Sequence, residues 1–507
     1  METNIHQYRL RRCNQSFQSD YSSRYNSDGK IDSLDMDAKG WWTSQLGAFF
    51  FANIGDTDGL CSKSLVAPAP PEKNENGTIF DHSSERYLDE CHNASDNVLR
   101  NPEYLAPLRT LANCKGLSDT ATVHVEDDDA AAKFRIFFKQ DDDNWIYIAA
   151  NHTFSAQGIK KGLELGIDAR DVRRSTWDGR VQVHFTVRSA GNGVRDHVAL
   201  RVAPVLTHHH GQRTERTITT AGRWNDSQAR FVAEFQQNVA RAGINEPVFL
   251  FTDDDIWTPD SFEPGYTSIP GPNGPIILRI MINSIRSHQD AGHKIFTRLR
   301  SAGVGAVQQL GEGGTLDATG NLETVPPHTF NNVSYLAGCV IMGTFKSKKP
   351  LMLPFLNAQE TQKRIELDTD WLSVGHVDEF LQFLPVDNEH GWVLMADDPI
   401  AGLETSRKLL RVMPLLWQFR GRVFPVSQMS CVFPMEPSQM CLSSKTSLKS
   451  HITSLSESSI ISTFLNVRPG FKTKTFSAFL PFFTITTLEA SNVAIMARAT
   501  RRQQPSW

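Results

Sequence analysis

The sequence has no basic excess: 52 Lys+Arg stand against 56 Asp+Glu, a formal charge of −4. Proteins that grip a phosphate backbone concentrate cations on one face, so nucleic acid is disfavoured as a partner. Paired cysteines are missing too. The seven present, Cys13, Cys61, Cys91, Cys114, Cys339, Cys431 and Cys441, are odd in number, scattered and without a CxxC, unlike a disulfide framework or a zinc site. A reducing compartment is therefore expected. No run approaches the about 20 apolar residues of a membrane span, and residues 1–18 mix Arg and Gln without the apolar centre of a secretory leader. These absences point to a soluble, cytoplasmic protein with no membrane partner.

What is present begins with acid. From Asp20 to Gly59 the chain is Gly-punctuated and rich in oxygen donors: Asn26, Asp28, Asp32, Asp35, Asp37, then Asp56 and Asp58 before Gly59. Carboxylates on tight turns suit Ca2+. An EF-hand fails, because counting back from Gly29 puts Arg24 at the first ligand position. Between Val123 and Pro204 short alternating runs recur, 133–137, 145–148, 181–187 and 198–202, each with one apolar face. They predict strands of a β-sandwich, with 141–144 as a hairpin turn. After Pro204 the period changes. Asn225 caps a helix whose Phe231, Val232, Phe235 and Val239 share a face before Gly243. An apolar strand at 247–252 follows, with further strands at 276–282 and 392–396, so this second region reads as α/β. Beyond Leu410 the chain turns Ser/Thr-rich and periodicity fades. The expected division is a calcium-binding sandwich over 1–205, an α/β domain over 206–409 and a divergent, disordered tail over 410–507.

The segment Trp371-Leu-Ser-Val-Gly375-His376-Val-Asp378-Glu-Phe380 carries a His and an Asp two apart, which share one side of an extended chain and diverge on a helix. A His-x-Asp pair on its own equally fits a hydrogen-bonded structural pair at a helix start. In its ten-residue context it closely resembles the active-site stretch of the protein-arginine deiminases. Trp257-Thr-Pro-Asp260-x-Phe-Glu263-x-Gly265-Tyr266 resembles a second segment of that family. Leu316-Asp-x-x-Gly320-Asn321-Leu322-Glu323, followed by Pro326-Pro327, resembles a third, and Arg201-Val-Ala-Pro204 the end of its middle domain. The acidic region from Asn26 to Asp58 resembles that domain's calcium loops, so the resemblance spans residues 20 to 400.

That resemblance implies an α+β architecture: immunoglobulin-like β-sandwich, then an α/β propeller of the pentein fold, here incomplete. It implies calcium-dependent hydrolysis of peptidyl-arginine to peptidyl-citrulline and ammonia, with an arginine-containing protein or peptide as substrate; homo-oligomerisation stays open. By motif match Asp260 and Asp378 clamp the guanidinium, His376 protonates departing ammonia and then activates water, and Trp257 packs on the arginine stem. Arg286, in Asn283-Ser-Ile-Arg286, holds the substrate backbone. Glu263, Asn283 and Glu323 join the calcium ligands, although Pro259 and Ser261 stand where the family tends to carry an amide and a carboxylate.

One element is missing. The family's reactive cysteine sits near the C-terminus in a His-Cys-Gly-Thr-Asn type motif, which this sequence does not contain. Cys431, Cys441 and Cys339 lie in other contexts, and the 107 residues beyond 400 are too few for the remaining propeller modules. The alternative is therefore a catalytically dead, deiminase-like protein that binds calcium or peptidyl-arginine. A metallohydrolase built on His376 and Asp378 lacks further histidines at ligand spacing. The triplet His208-His209-His210 cannot converge on one ion in regular structure and reads as a solvated loop.

Overall fold

The computed structural model describes residues 39–43, 48–64, 83–110, 120–189, 192–221, 226–251, 257–271, 274–285, 290–311, 313–398 and 401–402. Asn26, Asp28, Asp32, Asp35, Asp37, Arg286, Cys431, Cys441 and the expected tail lie outside these residues. The chain divides into two compact units that interleave in sequence: residues 1–208, 261–312 and 351–361 form the first, and 209–260, 313–350 and 362–507 the second. The boundary expected at 205 lies close to the first crossover. The later returns of 261–312 and 351–361 to the first unit have no compositional signature.

Among its described residues unit 1 contains three four-stranded sheets, two of them within residues 48–202. One orders Ala48–Phe50, Asn192–Val202, Arg180–Ser189 and Thr120–Val125; the other orders Ala106–Arg109, Glu164–Ala169, Phe134–Lys139 and Trp145–Tyr147. Three of the four expected strands lie within a residue or two of their predicted bounds, while the last begins earlier, at Asn192. Alternation explains them: Val181, Val183, Phe185 and Val187 are buried along one strand while Gln182 and Arg188 are exposed. The turn at 141–144 forms with Asp143 at φ 65, a conformation that Asp tolerates better than most residues. Phe50 of the first sheet meets Phe134 of the second edge to face at 5.5 Å. A third sheet in this unit orders Val304–Gln308, Ile276–Asn283, Phe262–Ile269 and Leu206–Thr207.

A disulfide joins Cys61 and Cys91, against the expectation that the cysteines form no disulfide framework. The spacing hid it, because the residues that bring the two sulfurs together are tertiary contacts.

Unit 2 opens with a parallel pair, Ile218–Thr220 and Phe249–Phe251, joined by the helix Asp226–Arg241. The helix buries Val232, Phe235 and Val239 as its spacing predicts, and Gly243 follows at φ 77. This is a β-α-β crossover, the connection a parallel pair requires. A mixed sheet of Leu322–Val325, Cys339–Thr344 and Lys363–Asp368 follows, with hairpins at His328–Phe330/Val333–Tyr335 and Leu381–Pro385/Trp392–Ala396. Val325, Cys339, Ile341, Leu367, Val377, Phe383 and Trp392 form its core. The architecture is mixed α and β with many small sheets. Among the described residues, no helix is long and apolar enough to cross a membrane.

Candidate functional site

Val377 is fully buried among the aliphatic and aromatic side chains of the unit 2 core, which fixes the residues on either side of it. His376 precedes it in extended backbone (φ −90, ψ 148), and Val377–Glu379 forms a single 3-10 turn. The two flanking side chains converge because the helix starts between them, a case that the choice between extended chain and helix did not cover. The Glu379 carboxylate accepts from Gly375 N at 3.0 Å and His376 N at 2.8 Å. Thr369 Oγ1 donates to Gly375 O at 2.7 Å, and Gly375 adopts φ +95, which only glycine takes without strain.

Asp260 arrives from far away in sequence, at the end of the 3-10 turn Thr258–Asp260, and is buried. Thr319 Oγ1 donates to Pro259 O at 2.6 Å, tying that turn to Thr319–Asn321. Asn321, fully buried, donates to Leu316 O at 2.8 Å and Gly343 O at 3.0 Å and accepts from Gly343 N at 2.9 Å. Between these anchors sits Gly320. A methyl group in place of its hydrogen would lie 2.7 Å from Asp378 Oδ2, 2.8 Å from Asp260 Oδ1 and 3.1 Å from His376 Nδ1. Three charged or titratable groups thus crowd one point that only a glycine leaves clear.

His376 Nε2 lies 2.7 Å from Thr315 O. A carbonyl only accepts, so Nε2 carries hydrogen, and Nδ1 faces Asp260 Oδ1 at 3.5 Å. The pair is an ion pair only when the imidazole is protonated. The arrangement holds His376 Nδ1 beside the carboxylates of Asp260 and Asp378. Trp257, 40% exposed, immediately precedes the turn that bears Asp260.

The expected calcium ligands are distributed less compactly. In unit 1 the Asp56 oxygens accept from Cys61 N at 3.3 Å and Ser62 N at 2.8 Å, and Asp58 accepts from Arg100 Nε at 2.8 Å. Hydrogen-bond donors thus already occupy part of the accepting capacity of both carboxylates. Glu263 pairs with Ile282, and Asn283 with Phe262, so strand alternation directs Glu263 and Asn283 to opposite faces. Asn283 is buried and donates to Gln308 Oε1. In unit 2, Glu323 is buried, its Oε2 has no hydrogen-bond partner among the described residues, and burial pushes its carboxyl up to about 8. Its Oε1 lies 3.5 Å from His210 Nε2. An orphaned carboxylate oxygen fits a cation ligand, yet among the described residues no group of three or more His, Cys, Asp and Glu gathers to hold a metal. His210 also corrects the solvated-loop expectation for the triplet: both His209 and His210 are partly buried, and burial lowers their pKa values, His209 to about 4.

Cys339 is the free cysteine among the described residues, fully buried in the unit 2 core, and burial pushes its thiol up to about 11. A thiol so protonated is a poor nucleophile. Sequence reasoning missed Gly320 as a site residue; its signal was its place inside a matched motif that also carries Glu323.

Residues 192–412 match the family model described as protein-arginine deiminase (PAD). The chain is 29% identical over 227 residues to protein-arginine deiminase type-4 of Rattus norvegicus, covering 42% of this chain and 33% of that one. Against the type-1 enzyme of Homo sapiens it is 30% identical over 225 residues, 41% of this chain and 33% of the relative. Against the human type-4 enzyme it is 34% identical over 158 residues, 29% and 23% of the two chains. The chain thus spans at most about a third of the length of these curated relatives.

Proposed function

Because the chain is a member of the protein-arginine deiminase family, through its residues 192–412, we propose that unit 2 recognises the guanidinium of peptidyl-arginine and serves its hydrolysis to peptidyl-citrulline and ammonia. The observation that supports this reading is the convergence of Asp260, His376 and Asp378 about Gly320. Two carboxylates at one point repel, and a cation between them relieves the repulsion. A guanidinium is the planar cation whose N–H groups two carboxylates can share. In the proposed roles Asp260 and Asp378 hold the substrate's nitrogens, and Trp257 offers an exposed apolar face to the arginine stem. His376, held through Nε2 by Thr315 O, gives a proton from Nδ1 to departing ammonia and then takes one from the attacking water. The carbon itself needs a thiolate. Cys339 does not supply one, so that group would come from outside the described residues. The finer fold reading, an immunoglobulin-like sandwich followed by part of a pentein propeller, belongs to the same proposal. If calcium takes part in unit 2, Glu323 would help to hold it, and the ion would neutralise charge beside the Gly320 loop.

A second reading, a peptidyl-arginine binder without turnover, is favoured by one observation: the free described thiol is buried and protonated. The two separate cleanly. Benzoyl-arginine amide and its citrulline counterpart are titrated calorimetrically against the full chain and its Asp378→Asn variant, and citrulline release is measured in parallel. Preference for the arginine ligand, lost in the variant, supports recognition, and turnover then decides between enzyme and binder. Equal affinity for both ligands rejects the whole reading.

A further inference from the structure

We propose that the described acidic loop cluster of unit 1 is closed by guanidinium groups in place of a divalent cation, so that this cluster holds its shape without calcium. The inference does not depend on the reading of unit 2. Calcium sites are built from carboxylates and backbone carbonyls that turn their oxygens toward one point. Unit 1 has both kinds of oxygen, and arginines occupy the points they face.

Arg135, with no exposed surface, lies at the centre. Its Nε and Nη2 reach the two oxygens of the equally buried Asp168 at 2.8 and 2.5 Å. Its Nη1 donates to three carbonyls of one loop: Asn93 at 3.2 Å, Asp96 at 2.9 Å and Val98 at 3.2 Å. Arg170 Nη1 donates to Ala94 O and, at 2.9 Å, to Asp96 O. Arg100 Nη1 donates to Asn93 O at 3.0 Å and to Asp96 Oδ1 at 2.8 Å, while Nη2 holds Asp96 Oδ2 at 2.7 Å and Nε holds Asp58 Oδ2 at 2.8 Å. The carbonyls of residues 93, 94, 96 and 98 therefore all end on guanidinium hydrogens.

The remaining carboxylates are met in the same way. Arg174 bonds Asp89 and, at 2.8 Å, Asp171, which also accepts from Lys133 at 2.8 Å. Arg300 is 4% exposed, donates to Leu88 O at 3.1 Å, and has no hydrogen-bond partner at Nε or Nη2. It sits in the field of Asp56 and Asp89. Five carboxylates (Asp58, Asp89, Asp96, Asp168, Asp171) are thus in direct contact with Arg100, Lys133, Arg135 or Arg174, while Arg170 and Arg300 add two further cations and Asp56 lies in the field of Arg300. His92 adds no charge, since burial and then Arg300 push it down to about 3. A calcium ion entering here would meet carboxylates already matched by cations, and would have to displace a guanidinium, or at Asp56 the backbone N–H groups of Cys61 and Ser62, from the oxygens it ligated. Access is not the obstacle: a cavity of about 520 Å³ borders Asp89, His92 and Asp171 and is edged by the exposed Arg86, Glu90 and Ser95.

Amide hydrogen exchange of the full chain, followed by mass spectrometry, tests this on residues 93–101 alone and is blind to calcium bound elsewhere. The expected result is the same exchange rate in millimolar Ca2+ and in chelator. Arg100→Gln should exchange at least tenfold faster in that peptide under both conditions. Slowing of wild-type exchange by Ca2+, abolished in Asp58→Asn, would overturn the proposal. So would an Arg100→Gln protein, folded by its unit 2 peptides, whose loop exchanges at the wild-type rate.

Discussion

Replacing Gly320 by alanine adds one methyl group at the point where the candidate site converges. The backbone there lies outside the left-handed region, so alanine meets no conformational penalty and the effect is purely one of space. Ordinary van der Waals separation for such a carbon is about 3.4 to 4 Å, whereas the methyl would stand 2.7 Å from Asp378, 2.8 Å from Asp260 and 3.1 Å from His376. Each polar atom must withdraw by several tenths of an ångström. His376 cannot do so freely, because Thr315 O and buried Val377 hold it on both sides. Overpacking of this kind costs about 1–3 kcal/mol of stability. Losing one charge-assisted hydrogen bond to a bound guanidinium, worth about 1.5–3 kcal/mol, weakens an arginine ligand about ten- to a hundredfold. Calorimetric titration with benzoyl-arginine amide, alongside a urea melt, reads both. If Gly320→Ala binds the ligand with wild-type affinity, the three groups do not act on one ligand and the argument from their convergence is wrong.

Three further outcomes follow from named groups. The Asp89 carboxyl is raised to about 6, chiefly by burial and against the pull of Arg174; the folded state then binds its proton more tightly than the unfolded chain, so its contribution is complete below about 4 and lost as pH rises through 6. Urea midpoints of wild type and Asp89→Asn from pH 4 to 7 should therefore show wild type losing ground, and a gap moving the other way would mean that Arg174 outweighs burial. Reducing the Cys61–Cys91 bond, which spans 30 residues, should lower stability by roughly 3–4 kcal/mol on the chain-entropy account. Equal urea midpoints for oxidised protein and Cys61→Ser/Cys91→Ser would refute that. Cys339→Ala should cost about 1 kcal/mol through a small cavity and leave arginine binding and any citrulline release intact; loss of turnover in a protein of native stability would make Cys339 the nucleophile after all.

The sequence was most legible where an element's own period settles its burial. Val181, Val183, Phe185 and Val187 announce a half-buried strand, and Val232, Phe235 and Val239 a helix face, because both patterns are local. The His376–Asp378 pair was legible as chemistry, but its geometry was not: a 3-10 turn beginning at Val377 brings together two side chains that neither a strand nor an α-helix treats in this way. Asp260 was legible only through resemblance, since more than 100 residues separate it from His376 and no periodicity spans that gap. Buried arginines were the least legible of all. Arg135, Arg173 and Arg201 have essentially no exposed surface, whereas composition places arginine outside by default. Their partners, Asp168 for Arg135 and Glu360 for Arg201 at 2.6 Å, lie 33 and 159 residues away. A sequence shows carboxylates such as Asp58 and Asp96 without showing which cations fold against them, here Arg100.

Recognition and chemistry are separable in unit 2 because they depend on different kinds of support. Every element that positions Asp260, His376 and Asp378 is held by the unit's own hydrogen bonds: Thr319 to Pro259, Asn321 to Gly343, Thr369 to Gly375 and Glu379 to the backbone of His376. None of these contacts requires a metal or a ligand to form, so on the proposed reading a guanidinium would meet a site already arranged, and little of its binding energy would be spent on ordering the protein. Hydrolysis asks for one thing more, a thiolate within reach of the central carbon, and removing a nucleophile leaves binding largely untouched while turnover falls by orders of magnitude. Binding should therefore persist under any conditions in which unit 2 is folded, whatever the fate of turnover. Measuring arginine-ligand affinity in chelator and in millimolar Ca2+ tests this directly. An affinity that collapses in chelator, with the urea midpoint unchanged, would show that the site needs an ion to assemble and that these hydrogen bonds are insufficient.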